Sequence, residues 1–264
     1  MPHDSVAKII KKQSWGDYHL FRLETPEIAG GARPGQFLMV RVSATPFPLL
    51  RRPISIHAGE KDTLDIFFRE AGQGTALLAL KKEGESLDII GPLGQKFVPD
   101  GAPIPSPAFL VGGGRGIAPL YFLGRELKNS GVKVKVLYGG KSLADLPVKA
   151  KFEASGLDIS CSTDDGSFGF PGFVTGLLEA EMRREKPGIL FVCGPDPLMK
   201  KAAEIAAGRQ IPARISLESM MGCGFGACWG CVKRIKKGGG GEWRKICEDG
   251  PAFWSDEIVW EEGE

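Results

Sequence analysis

Apolar positions in the first hundred residues come in short stretches broken by turn residues. They fall at 6–10, 18–23, 37–42, 54–57, 64–68 and 87–90, and Pro34-Gly35, Gly59, Gly84 and Gly91-Pro92 punctuate them. Short, regularly spaced strands with such breaks predict an antiparallel barrel or sandwich. One helix is predicted over 74–82, with Thr75 capping Ala76-Leu77-Leu78-Ala79-Leu80. Residues 101–106, Gly-Ala-Pro-Ile-Pro-Ser, read as a linker, and the pattern changes after them.

From Pro107 strand and helix alternate. A strand over 108–111 runs into Gly112-Gly113-Gly114-Arg115-Gly116 and a helix over 117–129, which accepts Pro119 in its first turn and ends at Gly131. Strands follow at 132–138 and 157–161, then a helix over 173–184. The run 189–193 is continuously apolar, as in a strand buried on both faces. Asp196 as N-cap and Pro197 at the first helical position open another helix, and 214–217 is a last strand. This alternation predicts a doubly wound parallel sheet. The fold class expected is therefore a β barrel plus α/β, divided as 1–101, 102–216 and a small C-terminal segment, 217–264. In that segment Gly238–Gly241 reads as an exposed, mobile hairpin or loop.

Composition narrows the class. At 264 residues, 42% hydrophobic and 25% charged, the chain can bury a sizeable core. A net charge of +2 gives no electrostatic case for nucleic acid. No apolar run is long enough to span a bilayer, and the N-terminus lacks a signal-peptide pattern, so a cytoplasmic protein is expected.

The strongest chemistry lies in the last segment. Cys223, Cys228, Cys231 and Cys247 follow the spacing C-x4-C-x2-C-x15-C. Plant-type [2Fe-2S] sites use C-x4-C-x2-C with a distant fourth cysteine. Gly222, Gly224, Gly226 and Gly230 let the backbone wrap such a cluster and bring amides to its sulfurs. Zinc is the competing reading, but only Cys228 and Cys231 form a C-x2-C pair and the three histidines are far away in sequence. A disulfide framework suits small secreted chains instead.

Three weaker motifs accompany it. Arg51-Arg52-Pro53-Ile54-Ser55 places arginine beside proline in a barrel sequence; arginine can grip a pyrophosphate, although the motif alone is equally a solvated basic turn. Phe67-Phe68-Arg69 precedes Gly72-Gln73-Gly74-Thr75, a helix opening of the kind that seats phosphate. The glycine turn at 112–116 is a strand-to-helix turn that could seat a dinucleotide, and Cys193-Gly194-Pro195 ends a buried strand at the sheet edge where ligands bind. Cys161 reads as structural.

Together these motifs resemble the ferredoxin–NADP reductase superfamily. Within it the chain is similar to the electron-transfer subunits of class 1B dihydroorotate dehydrogenases, on Met221-Gly222-Cys223 through Cys231 and Cys247-Glu248-Asp249-Gly250-Pro251-Ala252-Phe253. The resemblance spans essentially the whole chain and implies an antiparallel flavin-binding barrel, a nicotinamide domain and a [2Fe-2S] segment. It implies that Arg52, Pro53, Ile54 and Ser55 hold FAD, with Phe67, Phe68, Arg69, Gly74 and Thr75. Gly113, Gly114 and Gly116 would face the nicotinamide cofactor, Cys193, Gly194 and Pro195 would lie near nicotinamide and flavin, and the four cysteines would ligate the cluster. No catalytic acid or base is implied. Arg115 stands where the family more often has an apolar residue, which leaves NAD against NADP open. NAD(H) would be co-substrate. The partner implied is an FMN-containing dihydroorotate dehydrogenase catalytic subunit in a heterotetramer. Alternatives are a small subunit of a sulfide dehydrogenase or of an NADH-dependent ferredoxin–NADP reductase, and a redox-sensing binding module. The bifurcating reductases carry Asp at one cluster position, whereas all four are Cys here.

Overall fold

A computed structural model describes residues 3–237 and 240–260. The early strands close on themselves. β1 (His3–Trp15), β2 (Tyr18–Glu24), β3 (Phe37–Arg41), β4 (Arg52–Gly59), β5 (Thr63–Arg69) and β6 (Ser86–Leu93) form an antiparallel barrel in the order β1-β2-β5-β4-β3-β6. Alternate residues such as Leu38, Val40, Ile54, Ile56, Leu64 and Ile66 fill its interior. Two short helices attach to it, α1 (Pro26–Ala29) and α2 (Gln73–Ala79).

The second half is a seven-stranded sheet. Its elements are β7 (Ala108–Gly113), α3 (Ala118–Asn129), β8 (Val134–Gly140), α4 (Lys149–Ala154), β9 (Asp158–Thr163), β10 (Phe170–Pro171), α5 (Val174–Arg184), β11 (Ile189–Cys193), α6 (Asp196–Gly208) and β12 (Ala213–Ser216). The order is β10-β9-β8-β7-β11-β12 with every pair parallel. The chain starts in the middle at β7, moves out one way to β10, then returns to β11 on the other side, so the sheet is doubly wound as expected.

The last segment is woven into both halves. β13 (Val232–Lys237) and β14 (Gly240–Lys245) pair as an antiparallel hairpin, and β15 (Ala252–Trp254) joins the sheet antiparallel to β12. Of the Gly238–Gly241 run expected to be an exposed, mobile hairpin or loop, Gly240 and Gly241 are exposed at the start of β14, and Gly238 and Gly239 lie outside the described residues. Side chains from all three regions share one core: Met39 and Leu93 from the barrel, Val192 and Ile215 from the sheet, Ile246 and Phe253 from the last segment.

Some local expectations shift. The helix expected over 74–82 is shorter and starts at Gln73. Thr75 does not cap it; the hydroxyl accepts the Ala71 N–H at 2.8 Å and donates to the Gly72 carbonyl at 3.1 Å. Pro195, not Asp196, is the N-cap of α6, since its backbone is still extended.

Candidate functional site

The cysteine segment is built by close backbone approach. Gly224 and Gly226 take the left-handed conformation, with φ of +86° and +87°, and a Cβ on Gly224 would run into the Met39 side chain of β3. Gly222 and Gly230 serve otherwise: a Cβ there would sit 3.2 and 3.5 Å from the Cys228 sulfur. The third left-handed residue of the loop is Trp229, at φ +55°.

All four cysteines come together, and they do so in pairs. Cys223 lies beside Cys228, and Cys247 beside Cys231. Amides point at the sulfurs: Gly226 N–H donates to Cys247 Sγ at 3.2 Å, Gly230 N–H to Cys228 Sγ at 3.4 Å, and Cys247 N–H to Cys231 Sγ at 3.4 Å. Burial raises the Cys223 thiol, but the amides of Phe225 and Cys228 and the Cys228 thiol outweigh it and bring it down to about 7. Burial and Cys231 push Cys247 up to about 12. No disulfide forms. Among the described residues no three His, Cys, Asp or Glu side chains close on a single metal ion. Two thiol pairs with amide donors fit a two-iron cluster, whose four ligands are shared between two metals. Cys228 is exposed, and Phe225 and Trp229 beside it are half or more exposed, with Lys245 Nζ 4.7 Å over the Trp229 ring.

A cleft of about 570 Å³ opens at the carboxyl ends of the parallel strands. It sits over β7 and β11, where the strand order reverses and open sheets bind their ligands. Gly113, Gly114, Gly116, Gly194 and Pro195 line it. The two turns touch: a Cβ on Gly116 would lie 2.5 Å from the Cys193 carbonyl oxygen and 2.6 Å from Gly194 Cα. Cys193 is buried beneath this contact, and burial pushes its thiol up. Arg115 lines the cleft in an ion pair with Glu218 at 3.1 Å.

The residues expected at FAD divide. Arg52, Pro53 and Ser55 are partly exposed on β4, whereas Ile54 points into the barrel. Arg52 lies against Gly74, where a Cβ would run into its guanidinium. Arg51 pairs with Asp88 at 2.7 Å, but among the described residues Arg52 bonds only the Leu50 carbonyl, at 2.5 Å, and no carboxylate. A guanidinium without a counter-ion, seated on a glycine backbone beside Thr75, fits a pyrophosphate. Phe68 is in the barrel core, edge-on to Phe21 at 5.1 Å, and Phe67 stacks on Tyr18 at 5.7 Å. Arg69 lines the strand-end cleft, held by Asp17 at 2.6 Å.

Sequence reasoning missed Tyr18, Lys141, Asp145 and Asp164, all of which line the cleft. Lys141 and Asp164 immediately follow β8 and β9, so the rule that ligands sit beyond strand carboxyl ends could have found them. Nothing in the sequence marks Tyr18.

Comparison with known proteins fits this geometry. Residues 218–259 match the iron-sulfur cluster binding domain of dihydroorotate dehydrogenase B. Over 229 residues the chain is 43% identical to the dihydroorotate dehydrogenase B (NAD(+)), electron transfer subunit of Geobacillus kaustophilus (strain HTA426), covering 86% of this chain and 87% of that one. The chain belongs to the dihydroorotate dehydrogenase B electron transfer subunit family. Another member of that name, from Desulforamulus reducens (strain ATCC BAA-1160 / DSM 100696 / MI-1), is 39% identical over 92% of this chain and 93% of its own. A solved structure of an NADH-dependent reduced ferredoxin-NADP oxidoreductase superposes with a TM-score of 0.83 at 29% identity, covering 97% of this chain and 90% of that chain. A ferredoxin NADP+ reductase from Neisseria gonorrhoeae, 17% identical with a TM-score of 0.66 over 78% of this chain and 91% of its own, shares the barrel-plus-α/β fold.

Proposed function

We propose that this chain carries electrons between a catalytic dihydroorotate dehydrogenase subunit and NAD, through a [2Fe-2S] cluster and FAD, in pyrimidine biosynthesis. The observation that carries the reading is the meeting of four thiols in a chain that also holds a cleft at the strand ends. When bound, a flavin exchanges a hydride's two electrons together and an iron–sulfur cluster takes them singly, so the flavin belongs between nicotinamide and cluster.

The chain's own residues bind and orient. Cys223, Cys228, Cys231 and Cys247 hold the cluster. Arg52 grips the FAD pyrophosphate, with Pro53, Ser55, Gly74 and Thr75 around it. Gly113, Gly114, Gly116, Gly194 and Pro195 form the floor on which the nicotinamide nucleotide lies, and Arg69 belongs to that ligand rather than to FAD. Ile54, Phe67 and Phe68 support the barrel wall behind these groups, and Cys193 supports the turn beneath. No side chain needs to move a proton for hydride transfer. The exposed edge at Cys228 and Trp229 gives electrons their exit toward a partner, which we take to be an FMN-containing catalytic subunit in a cytoplasmic heterotetramer.

The test is anaerobic co-expression with a class 1B catalytic subunit. The expected complex holds FAD, [2Fe-2S] and FMN and oxidises dihydroorotate with NAD+, while the isolated chain reduces dyes with NADH and has no dihydroorotate turnover. Turnover by the isolated chain would overturn the assignment of that site to the partner. A complex that never couples to dihydroorotate would move the function toward ferredoxin- or sulfide-linked relatives.

A further inference from the structure

Three residues from two parts of the fold meet at the wall of the dinucleotide cleft. Tyr18 on β2 and Arg69 on β5 face each other in the barrel register, and both reach Asp145, beyond β8. The Tyr18 hydroxyl donates to Asp145 Oδ1 at 2.9 Å, and Arg69 Nη1 lies 3.5 Å from the same oxygen. Asp145 is anchored from its own side: Oδ2 accepts the Ser142 N–H at 3.2 Å, and the Tyr138 hydroxyl donates to the Asp145 carbonyl at 3.0 Å. Arg69 is tethered separately, through Nε to Asp17 at 2.6 Å, with its guanidinium 5.0 Å over the Tyr18 ring.

The two bonds to Arg69 differ in kind. The Asp17 contact is a short, charge-assisted hydrogen bond to Nε. The Asp145 contact is a longer ion pair to Nη1, the weaker of the two and the easier to exchange for another anion. A carboxylate in the wall of a cleft that takes a diphosphate also repels its ligand. Both features make sense if Asp145 occupies the cation only until the ligand arrives.

We propose that Asp145 is a placeholder for the dinucleotide's pyrophosphate: it holds Arg69 Nη1 in the cleft and yields it to the phosphates on binding, at a cost in affinity that speeds dinucleotide release. This rests on the reading of the cleft as the NAD(H) site. The carboxylate acts through Arg69, so it is a positioning group and touches no reacting atom.

The experiment is calorimetric titration of NAD+ into the FAD-loaded chain, with the KM for NADH measured alongside. Asp145→Asn removes the charge and keeps one oxygen acceptor, enough for Tyr18 or for the Ser142 N–H but not for both, and Kd is expected to fall about fivefold, the scale of one partly exposed ion pair. Arg69→Ala raises Kd, and adding Asp145→Asn to it gives little further change. Tyr18→Phe leaves Asp145 Oδ1 to Arg69 alone and raises Kd, so it decides the matter if Asp145→Asn does not fold; flavin content reports the fold. An unchanged or raised Kd in Asp145→Asn overturns the placeholder, as does a full-sized effect of Asp145→Asn without Arg69. An unchanged Kd in Arg69→Ala is a different failure, since it sinks the reading of the cleft on which the placeholder stands.

Discussion

Two glycines separate the two redox sites at the level of single residues. Gly224 is left-handed and packed against Met39. An alanine there takes on about 1–2 kcal/mol of backbone strain together with a clash. Gly116 is pressed on the backbone of Cys193 and Gly194, which no rotamer change can relieve. Gly224→Ala is expected to lower iron and sulfide content severalfold while FAD and NADH-dependent flavin reduction survive. Gly116→Ala is expected to keep the cluster and lose NADH-dependent reduction at least tenfold. Metal analysis and stopped-flow flavin bleaching read both, and loss of iron in Gly116→Ala would show that the sites are not separable. The cysteine spacing made the meeting of the four thiols legible in the sequence, because a two-iron site would fix both residue type and interval. Asp145 was not legible: its tie to Tyr18 spans 127 positions and obeys no local pattern. The place of Arg69 on the wall of the strand-end cleft was not legible, since it depends on where the end of β5 lies relative to the sheet.

At the scale of elements, the contact between β4 and α3 is sensitive to acid. His57 on β4 is fully buried, stacked on Tyr121 of α3 at 4.7 Å, and its Nδ1 donates to the Ala118 carbonyl at 2.8 Å. Nε2 is buried without a partner. Burial, with nearby Lys151 adding to it, lowers the imidazole to about 3. The unfolded chain binds a proton near 6.5 and the folded chain does not, so stability is complete above that pH and falls as pH drops toward 3. The slope approaches about 1.4 kcal/mol per pH unit. Asp65 does not contribute in the upper part of this window. Burial raises its carboxyl, but Arg22 and Lys151 hold it below its ordinary 3.8. His57→Gln keeps a donor for Ala118 and removes the proton site. Its thermal midpoint should therefore fall less than the wild type's between pH 7 and pH 5, and parallel curves would assign the acid sensitivity elsewhere. Most elements here were readable because each strand carries its own apolar signature. β1 was foreseen over 6–10 but runs His3–Trp15, since His3-Asp4-Ser5 and Lys11-Lys12-Gln13-Ser14 on either side are polar and carry no apolar signal. β15 was missed because three residues show no period; only pairing with β12 makes them a strand.

For the whole molecule, the last segment completes the core. Ile235, Ile246, Phe253 and Ile258 are buried in the cluster that also contains Val192 and Ile215 of the sheet and Met39 of the barrel. β15 covers the β12 edge, with Ile215 opposite Phe253 and Ser216 opposite Ala252. Gln95 beyond β6 ties the barrel to the same segment, its side chain donating to the Glu248 carbonyl at 2.9 Å. A chain ending at Leu217 would keep every residue of the flavin and dinucleotide sites except the Glu218 partner of Arg115. If the segment were only an appendage for the cluster, such a truncation would bind FAD and melt near the parent temperature. The shared core argues otherwise. Burying a large apolar side chain contributes about 1.5–3 kcal/mol, so losing Phe253, Ile246 and Ile258 forfeits on the order of 5 kcal/mol before the exposed sheet edge is counted. For a chain of this size that lowers the midpoint by roughly 10–20 °C. The truncated chain is therefore expected to aggregate or melt that much lower, whereas alanine at all four cysteines in the full chain should leave the midpoint closer to the wild type's. Differential scanning calorimetry of the three proteins separates loss of metal from loss of packing, and a truncation that melts with the parent would show that the segment is dispensable to the fold.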